Sequence, residues 1–325
     1  MTLAPFSYLK CSFVACLLLL SLFASTAFAQ AFDREVFKTG TQAEVKAAIA
    51  KIKDVNVADD SGWTPLMFAA KDNPNSDVIY ALIEAGALVK AVNKDGLTAL
   101  MFAAGKNEQA SITEALIAAG SEVNAKDKDD MTAIMAACGM NKNPEVVRAL
   151  IKAGADLQAA DKDGFLIIHF AALSNTNADV MRTVLETKPD LNKMENRKIT
   201  PLMFASAFNA NPQIAKLLID AGANLEDKDL DEMTPLMFAA GAAKDPSVMQ
   251  YLIDARANLN AVDKDGWTPL MFAVQNKSVN TYDALIKAGA NLNIKDKEGH
   301  SAYYFAERAK NEAAMAALRK AGLNQ

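Results

Sequence analysis

A block of six residues, Thr-Pro-Leu-Met-Phe-Ala, recurs through this chain of 325 residues at a fixed spacing. It stands at 64–69, 200–205, 234–239 and 268–273, and near-copies begin at Thr98 and Thr132. The position of its threonine falls at 64, 98, 132, 166, 200, 234 and 268, always 34 residues apart. A unit this short cannot bury a core of its own, so the period predicts an array of stacked units that share one core. Such arrays usually present long surfaces to partners and do not usually build a catalytic pocket.

Each unit reads as two antiparallel helices joined by a short turn. The threonine suits the N-cap of the first helix, and a proline often follows it, where a missing N–H costs little. Asparagine recurs in the turn, at 73, 107, 141, 175 and 209, and we expect it to close the first helix in the left-handed conformation. The second helix has apolar residues at helical spacing and usually ends in Ala-Gly. The polar loop that follows is predicted to be a projecting hairpin.

The N-terminus reads as a secretory signal peptide. Lys10 precedes an apolar run at 11–24, and Ala27-Phe28-Ala29 offers small residues at the two positions that a signal peptidase reads. The run is shorter than the roughly 20 residues that span a bilayer. We therefore expect cleavage after Ala29 and a soluble periplasmic or secreted protein that begins at Gln30. An uncleaved membrane anchor is the alternative.

Composition argues against several other functions. The formal net charge is -5, so phosphate backbones are repelled on average and no nucleic-acid partner is expected. No glycine-rich phosphate motif or zinc-ligand spacing occurs, so the sequence predicts no cofactor, no metal and no catalytic residue. Cys138 is the one cysteine that follows the signal peptide, and it stands where Ala70 and Ala104 stand. We expect it to be a buried small side chain, and the chain to be a monomer.

These features together resemble the ankyrin repeat family and, with the signal peptide, an exported bacterial member of it. The resemblance rests on Gly-x-Thr-Pro-Leu followed by Ala-Ala, a second helix with Leu-Ile, then Ala-Gly-Ala and Asn-Ala-x-Asp, in register across most units. It implies an all-α repeat solenoid of stacked helix-turn-helix ankyrin repeats with projecting β-hairpin loops. The chain then divides into a signal peptide at 1–29 and a repeat domain at 30–325, with a degenerate unit at 32–61, repeats from 62, 96, 130, 164, 198, 232 and 266, and a capping unit at 299–325.

The chain departs from the family pattern at two kinds of position. Where the family usually has histidine after Thr-Pro-Leu, most units have methionine and His169 alone keeps the histidine. We expect apolar packing to replace a polar tether in the methionine units. Glycine is missing from the hairpins at Asp130, Lys198 and Glu232, and from the helix ends at Lys188 and Arg256. Left-handed geometry at such residues costs about 1 kcal/mol or more, so we expect these loops to adopt another shape.

The resemblance implies that a partner binds at the hairpin tips and on the concave face of the first helices. The residue before each threonine lies on this edge, and it is apolar in seven consecutive units: Trp63, Leu97, Met131, Phe165, Ile199, Met233 and Trp267. This apolar row is either a contact surface or packing that stiffens the array. The fifth and sixth hairpins, with Arg197 and Asp231, break the local glycine rule. We predict that partner specificity lies there, with repeat decay without consequence as the alternative.

The function predicted from these residues is a non-enzymatic protein-protein interaction module or scaffold that acts outside the cytoplasm. The alternatives are a secreted effector, an immunity protein, or an enzyme or metal-binding protein whose site is built across repeats. The last alternative needs His169 beside converging carboxylates, whereas its place on a first helix favours a structural role. His300 lies at a hairpin tip, where we expect it to be solvated.

Overall fold

The computed structural model of the chain describes residues 32–276 and 280–323. The predicted signal peptide at 1–29 lies outside these ranges, so its cleavage stays a prediction. Within them every regular element is an α-helix, apart from two isolated β-bridges that join Val92 to Thr98 and Lys295 to Ser301. None of the helices in these ranges is long and apolar enough to cross a membrane.

The helices are short and come in pairs. In chain order, α1 to α18 are Arg34–Thr39, Gln42–Ile49, Pro65–Asp72, Ser76–Glu84, Ala99–Lys106, Ala110–Ala118, Ala133–Met140, Pro144–Lys152, Ile167–Leu173, Ala178–Glu186, Pro201–Phe208, Pro212–Asp220, Pro235–Ala242, Ser247–Asp254, Pro269–Gln275, Tyr282–Lys287, Ala302–Arg308 and Glu312–Lys320. Odd-numbered helices are the first of each pair. This order confirms the predicted all-α repeat of two helices.

The chain forms two compact units. One lies within Met1–Ala137 and Arg148–Asp156, and the other within Cys138–Val147 and Leu157–Gln325. In the first unit α1 packs against α3, and α3 packs against α5. In the second unit α9, α11, α13, α15 and α17 each pack against the next. The first helices of successive pairs therefore stack within each unit.

The repeated block supplies the core of these stacks. Leu66 and Met67 are buried almost completely, and Ala69 and Ala70 beside them allow neighbouring backbones to approach closely. Cys138 is buried as predicted, and burial raises the pKa of its thiol. It therefore packs as a small apolar side chain and does not act as a reactive thiol.

Threonine begins the first helices as predicted. The Oγ1 atoms of Thr64, Thr98 and Thr200 each accept a hydrogen bond from the N–H three residues later, at 3.4, 3.2 and 3.3 Å. These bonds satisfy an N–H that has no partner inside the helix.

The methionine that replaces histidine in these helices keeps a polar contact. The Sδ atoms of Met101 and Met203 accept from the N–H of the capping threonine at 3.5 and 3.4 Å, a weak version of the bond that His169 Nδ1 accepts from Leu166 N at 3.0 Å. Met101 and Met203 are 2% and 0% exposed, so the expected apolar packing is present and this weak polar contact accompanies it.

The asparagines of the turn link successive repeats. Asn107 has φ -90° and ψ 116°, and Asn73 has φ -81° and ψ 127°, so the left-handed conformation expected there is wrong. The side chain of Asn107 donates instead to two carbonyls of the preceding repeat, Ala70 O at 3.1 Å and Asn73 O at 2.7 Å. Asn107 Oδ1 also accepts from Gln109 N at 3.0 Å. A carboxamide can donate two bonds while accepting another, which explains the choice of asparagine.

The residues that replace glycine adopt the left-handed conformation after all. Their φ angles are 62° at Asp130 and Lys198, 61° at Glu232, 53° at Lys188 and 67° at Arg256. The expectation of differently shaped loops is wrong because the backbone bonds of the turn persist. Lys198 N donates to Glu195 O at 2.9 Å, much as Gly96 N donates to Asn93 O at 3.0 Å. The fold therefore accepts a strain of about 1 kcal/mol or more at each such residue.

Candidate partner-binding surface

An acidic side chain at the base of most hairpins fixes the backbone of the tip. Asp161 Oδ1 accepts from the N–H groups of Asp163 and Phe165 at 3.0 and 2.8 Å. Asp161 N donates to Phe165 O at 3.1 Å, which closes the loop. Neighbouring hairpins are joined by backbone bonds such as Lys264 N to Asp231 O at 3.0 Å. The tips are therefore held in place before any partner binds.

Burial raises the pKa of these acidic groups. The pKa of Asp161 reaches about 6, because desolvation outweighs the hydrogen bonds that favour the carboxylate. The same cause raises the pKa of the equivalent groups, Asp127, Glu195, Asp229 and Asp263. These carboxylates are engaged in hydrogen bonds within the turn. The charges that a partner can contact are therefore those of the outer tip residues.

The apolar row of the first unit is partly exposed. Trp63, Leu97 and Met131 each keep some contact with solvent. The Trp63 ring centroid lies 5.0 Å from that of Phe68 in its own repeat and 4.0 Å from that of Phe102 in the next. Trp63 therefore packs between two repeats and still presents an edge on which a partner could rest.

The apolar row of the second unit is mostly covered. Phe165, Ile199 and Met233 are 6%, 3% and 2% exposed, and the Phe165 ring lies 5.1 Å from the Phe204 ring. Trp267 is partly exposed and lies 4.1 Å from the Phe305 ring. Burial favours the packing interpretation for the three covered residues. Partner contact at the partly exposed members of the row stays a prediction.

The tips of the fifth and sixth hairpins carry exposed side chains of mixed character. Arg197 is exposed on the fifth hairpin. On the sixth, Asp231 is half-buried and pairs with Lys264 of the following hairpin. Leu230, next to Asp231, is 60% exposed.

Leu230 lies on the sixth hairpin, where the sequence predicts partner specificity, but the prediction does not single out its side chain as a contact. Alignment of the repeats reveals Leu230, because most other repeats have lysine at the same tip position: Lys94, Lys128, Lys162 and Lys264. A leucine in a series of lysines removes a solvated charge and adds an apolar contact group.

His169 has the structural role expected of it. Its Nδ1 accepts from Leu166 N, so its Nε2 carries the proton and donates to Lys193 O at 2.9 Å. The ring is fully buried, and burial lowers the pKa to about 4. Both ring nitrogens are engaged, so His169 offers no free ligand atom.

His300 does not match its expected solvated state. Its side chain is 28% exposed, and its ring stacks on Tyr304 at a centroid distance of 3.8 Å. Its Nδ1 atom is buried between two carboxylates and makes no hydrogen bond.

These features define the class of protein as an all-helical repeat solenoid whose loops present preformed surfaces. A model of the family described as ankyrin repeats (3 copies) matches residues 36–127, 104–195, 168–261, 202–296 and 236–324. The chain therefore belongs to the ankyrin repeat family, whose members are protein-protein interaction modules.

Among solved structures, the human ASB11 ankyrin repeat domain is similar, with a TM-score of 0.63 and 23% identity over 70% of this chain and 99% of that chain. At this identity the likeness shows the fold alone. No curated protein matches the sequence significantly.

Proposed function

We propose that this protein is a non-enzymatic scaffold that acts outside the cytoplasm and binds a protein partner through the tips of its fifth and sixth hairpins. The exposed Leu230 carries the proposal, since an apolar side chain here replaces a lysine of other repeats. Arg197 and Asp231 supply charges that orient the partner beside this apolar contact. Trp267, the partly exposed member of the apolar row in the same unit, adds contact area.

The left-handed residues Lys198 and Glu232 support the same location. Glycine would relieve the strain at both positions, and the hairpins at Gly96 and Gly266 have it. Asp130 keeps a charged side chain at the same cost on the third hairpin, so the strain supports this location only together with the exposed Leu230. Because the hairpin backbone is fixed by hydrogen bonds, binding proceeds with little ordering of the loops.

The test is an exchange of both tips for the Lys-Asp-Gly pattern of the other repeats. The exchanged protein carries Asn196→Lys, Arg197→Asp, Lys198→Gly, Leu230→Lys and Glu232→Gly. It is immobilised beside the parent chain, and the proteins that each retains from an extract of the source cells are quantified by mass spectrometry. The proposal predicts that one or more partners bind the parent and are lost from the exchanged protein.

The matched control is Asp130→Gly, which makes the same change of backbone strain in a hairpin whose other tip residues, Lys128 and Asp129, already follow the pattern. This variant should retain the partner. Equal retention by the exchanged protein would place the contact elsewhere. Loss from both variants would show that backbone relaxation, and not tip chemistry, disturbs binding.

The proposed location outside the cytoplasm rests on the sequence of residues 1–29. Its test is the N-terminal residue of the protein recovered from cell fractions, by intact-mass measurement. A chain that begins at Gln30 and is found in the periplasm or medium supports the proposal. A full-length chain in the cytoplasm contradicts it.

A further inference from the structure

The last hairpin is built differently from the others because His300 occupies the place of the apolar row. With Asp296 and Glu298, it brings an imidazole and two carboxylates to one tip. One donor atom from each side chain lies within 4.8 Å of the other two. The preceding hairpin has Asp263 and Asp265 at the matching positions but Trp267 in place of the histidine. The nitrogen donor is therefore what distinguishes this tip.

The distances inside this group do not fit ordinary hydrogen bonds. His300 Nδ1 lies 3.5 Å from Asp296 Oδ2 and 3.5 Å from Glu298 Oε2. A charge-assisted N–H···O bond would be about 2.7–2.9 Å long. The Nδ1 atom is buried and makes no hydrogen bond, although it faces two acceptors. A buried polar atom without a partner needs an explanation.

The same distances fit a shared metal ion. Ligand atoms about 2.0–2.2 Å from a tetrahedral Zn²⁺ are separated from each other by about 3.4 Å. The two separations of 3.5 Å from His300 Nδ1 are close to this edge length, and the two carboxylates lie within 4.8 Å of each other. An imidazole with two carboxylates is a donor set that Zn²⁺ and similar divalent transition ions accept.

The surrounding residues hold two of the three donors in place, whereas the Glu298 side chain is 81% exposed. The Asp296 side chain is 4% exposed, and its Oδ1 accepts from the N–H groups of Glu298 and His300 at 3.0 and 2.7 Å. Its Oδ2 remains on the side of the imidazole. The His300 ring lies almost parallel to Tyr304, at an interplanar angle of 9°. Outer contacts of this kind orient ligands before a metal arrives.

We propose that Asp296, Glu298 and His300 form a binding site for a divalent transition-metal ion of the zinc type, with a fourth coordination position open to solvent. His300 binds through Nδ1, so its proton resides on Nε2. The ion joins three side chains of one hairpin and stabilises the C-terminal end of the second unit. The site is independent of the proposed partner surface on the fifth and sixth hairpins.

Titration calorimetry of the purified full chain, free of chelator and of any histidine tag, tests this with Zn²⁺ alone. We expect one ion per chain, and a tetrahedral absorption band when Co²⁺ is used instead. His300→Leu and Glu298→Gln should each weaken binding at least about tenfold, since even outer-shell changes have effects of this size. Leu97 stands at the position of His300 in another repeat, so His300→Leu should leave the circular dichroism spectrum unchanged.

Asp265→Asn is the matched control, because it removes one carboxylate charge from the equivalent tip position of the preceding hairpin. It should bind Zn²⁺ as the parent does. Absence of saturable Zn²⁺ binding by the parent would overturn the proposal. Binding that His300→Leu leaves unchanged would overturn it as well.

Discussion

Replacing Asn209 with alanine should cost far more stability than replacing Asn211, two residues away. Asn209 is 3% exposed, and its Nδ2 donates to Ala172 O at 2.8 Å and to Asn175 O at 3.0 Å. Its Oδ1 accepts from Asn211 N at 2.9 Å. Alanine removes these three bonds and leaves buried carbonyls of the preceding repeat without a donor.

The magnitude follows from those groups. Each net hydrogen bond contributes about 1 kcal/mol, and a buried group left unpaired costs about 1–3 kcal/mol. Asn209→Ala should therefore lower the free energy of unfolding by about 3–5 kcal/mol. Asn211 donates to Thr176 O at 2.8 Å and caps α12 through Gln213 N at 3.0 Å, both at exposed positions. Asn211→Ala should cost only about 1 kcal/mol, the usual value of an N-cap.

Urea denaturation followed by far-UV circular dichroism measures both variants against the parent. Hydrogen exchange of the α11 amides adds a local readout, because repeat arrays can unfold in stages. We expect a large shift of the urea midpoint for Asn209→Ala and a small shift for Asn211→Ala. Equal shifts would refute the claim that the buried amides link the repeats.

Three further predictions concern strain and titration. Arg256→Gly should raise the free energy of unfolding by about 0.5–1 kcal/mol, because glycine relieves the left-handed strain. The gain is limited because glycine also increases the conformational entropy of the unfolded chain. A thermal midpoint that does not rise would contradict this prediction. His169 has a folded pKa of about 4 against 6.5 unfolded, so its contribution to stability falls as pH drops from 6.5 to 4, by up to about 3 kcal/mol. His169→Met should reduce the difference in the free energy of unfolding between pH 7 and pH 4.5, measured by urea denaturation at each pH. A difference equal to that of the parent would contradict this prediction. Asp161 behaves oppositely: its pKa of about 6, above 3.8, makes stability fall as pH rises from about 4 to about 6. Asp161→Asn introduces the residue that Asn93 provides in another hairpin. It should therefore raise the free energy of unfolding at pH 7 by up to about 1 kcal/mol, after allowance for solvent screening. A lower free energy of unfolding at pH 7 would contradict the predicted direction.

Much of the fold can be predicted from the sequence because the repeat multiplies weak signals. A single Thr-Pro-Leu is a modest helix-start signal, but the same spacing in successive units identifies the two-helix repeat. The turn asparagine shows the limit of local reasoning. Its own backbone preference favours a helix-closing role, whereas its amide bonds to carbonyls about 34 and 37 residues earlier. Contacts between residues so far apart in sequence depend on how the repeats stack, and a short segment of sequence does not contain that information.

The glycine replacements are mispredicted for a related reason. When only the backbone strain at Lys198 is considered, a loop of different shape is expected. In the structure the hydrogen bonds of the surrounding hairpin outweigh that cost. Tertiary context thus overrides a local penalty of about 1 kcal/mol.

The candidate site is predictable only in part. The position of the apolar row follows from the repeat, but the difference between the covered Ile199 and the partly exposed Trp63 depends on how each side chain meets the next repeat. Leu230 can be found by comparing the side-chain type at each hairpin tip, instead of asking only whether glycine is present. The polar neighbours of His300 in sequence favour a solvated ring. Its stacking on Tyr304 instead places Nδ1 away from water.

We propose above that a preformed surface at the fifth and sixth hairpins binds a protein partner. Once that partner is captured and purified, its affinity for the parent and for Leu230→Lys, measured by surface plasmon resonance, tests the claim most directly. Lysine is the residue found at this tip in other repeats, so the fold should be unaffected. We expect at least a tenfold loss of affinity, about 1.4 kcal/mol, with an unchanged circular dichroism spectrum. An affinity equal to that of the parent would contradict it.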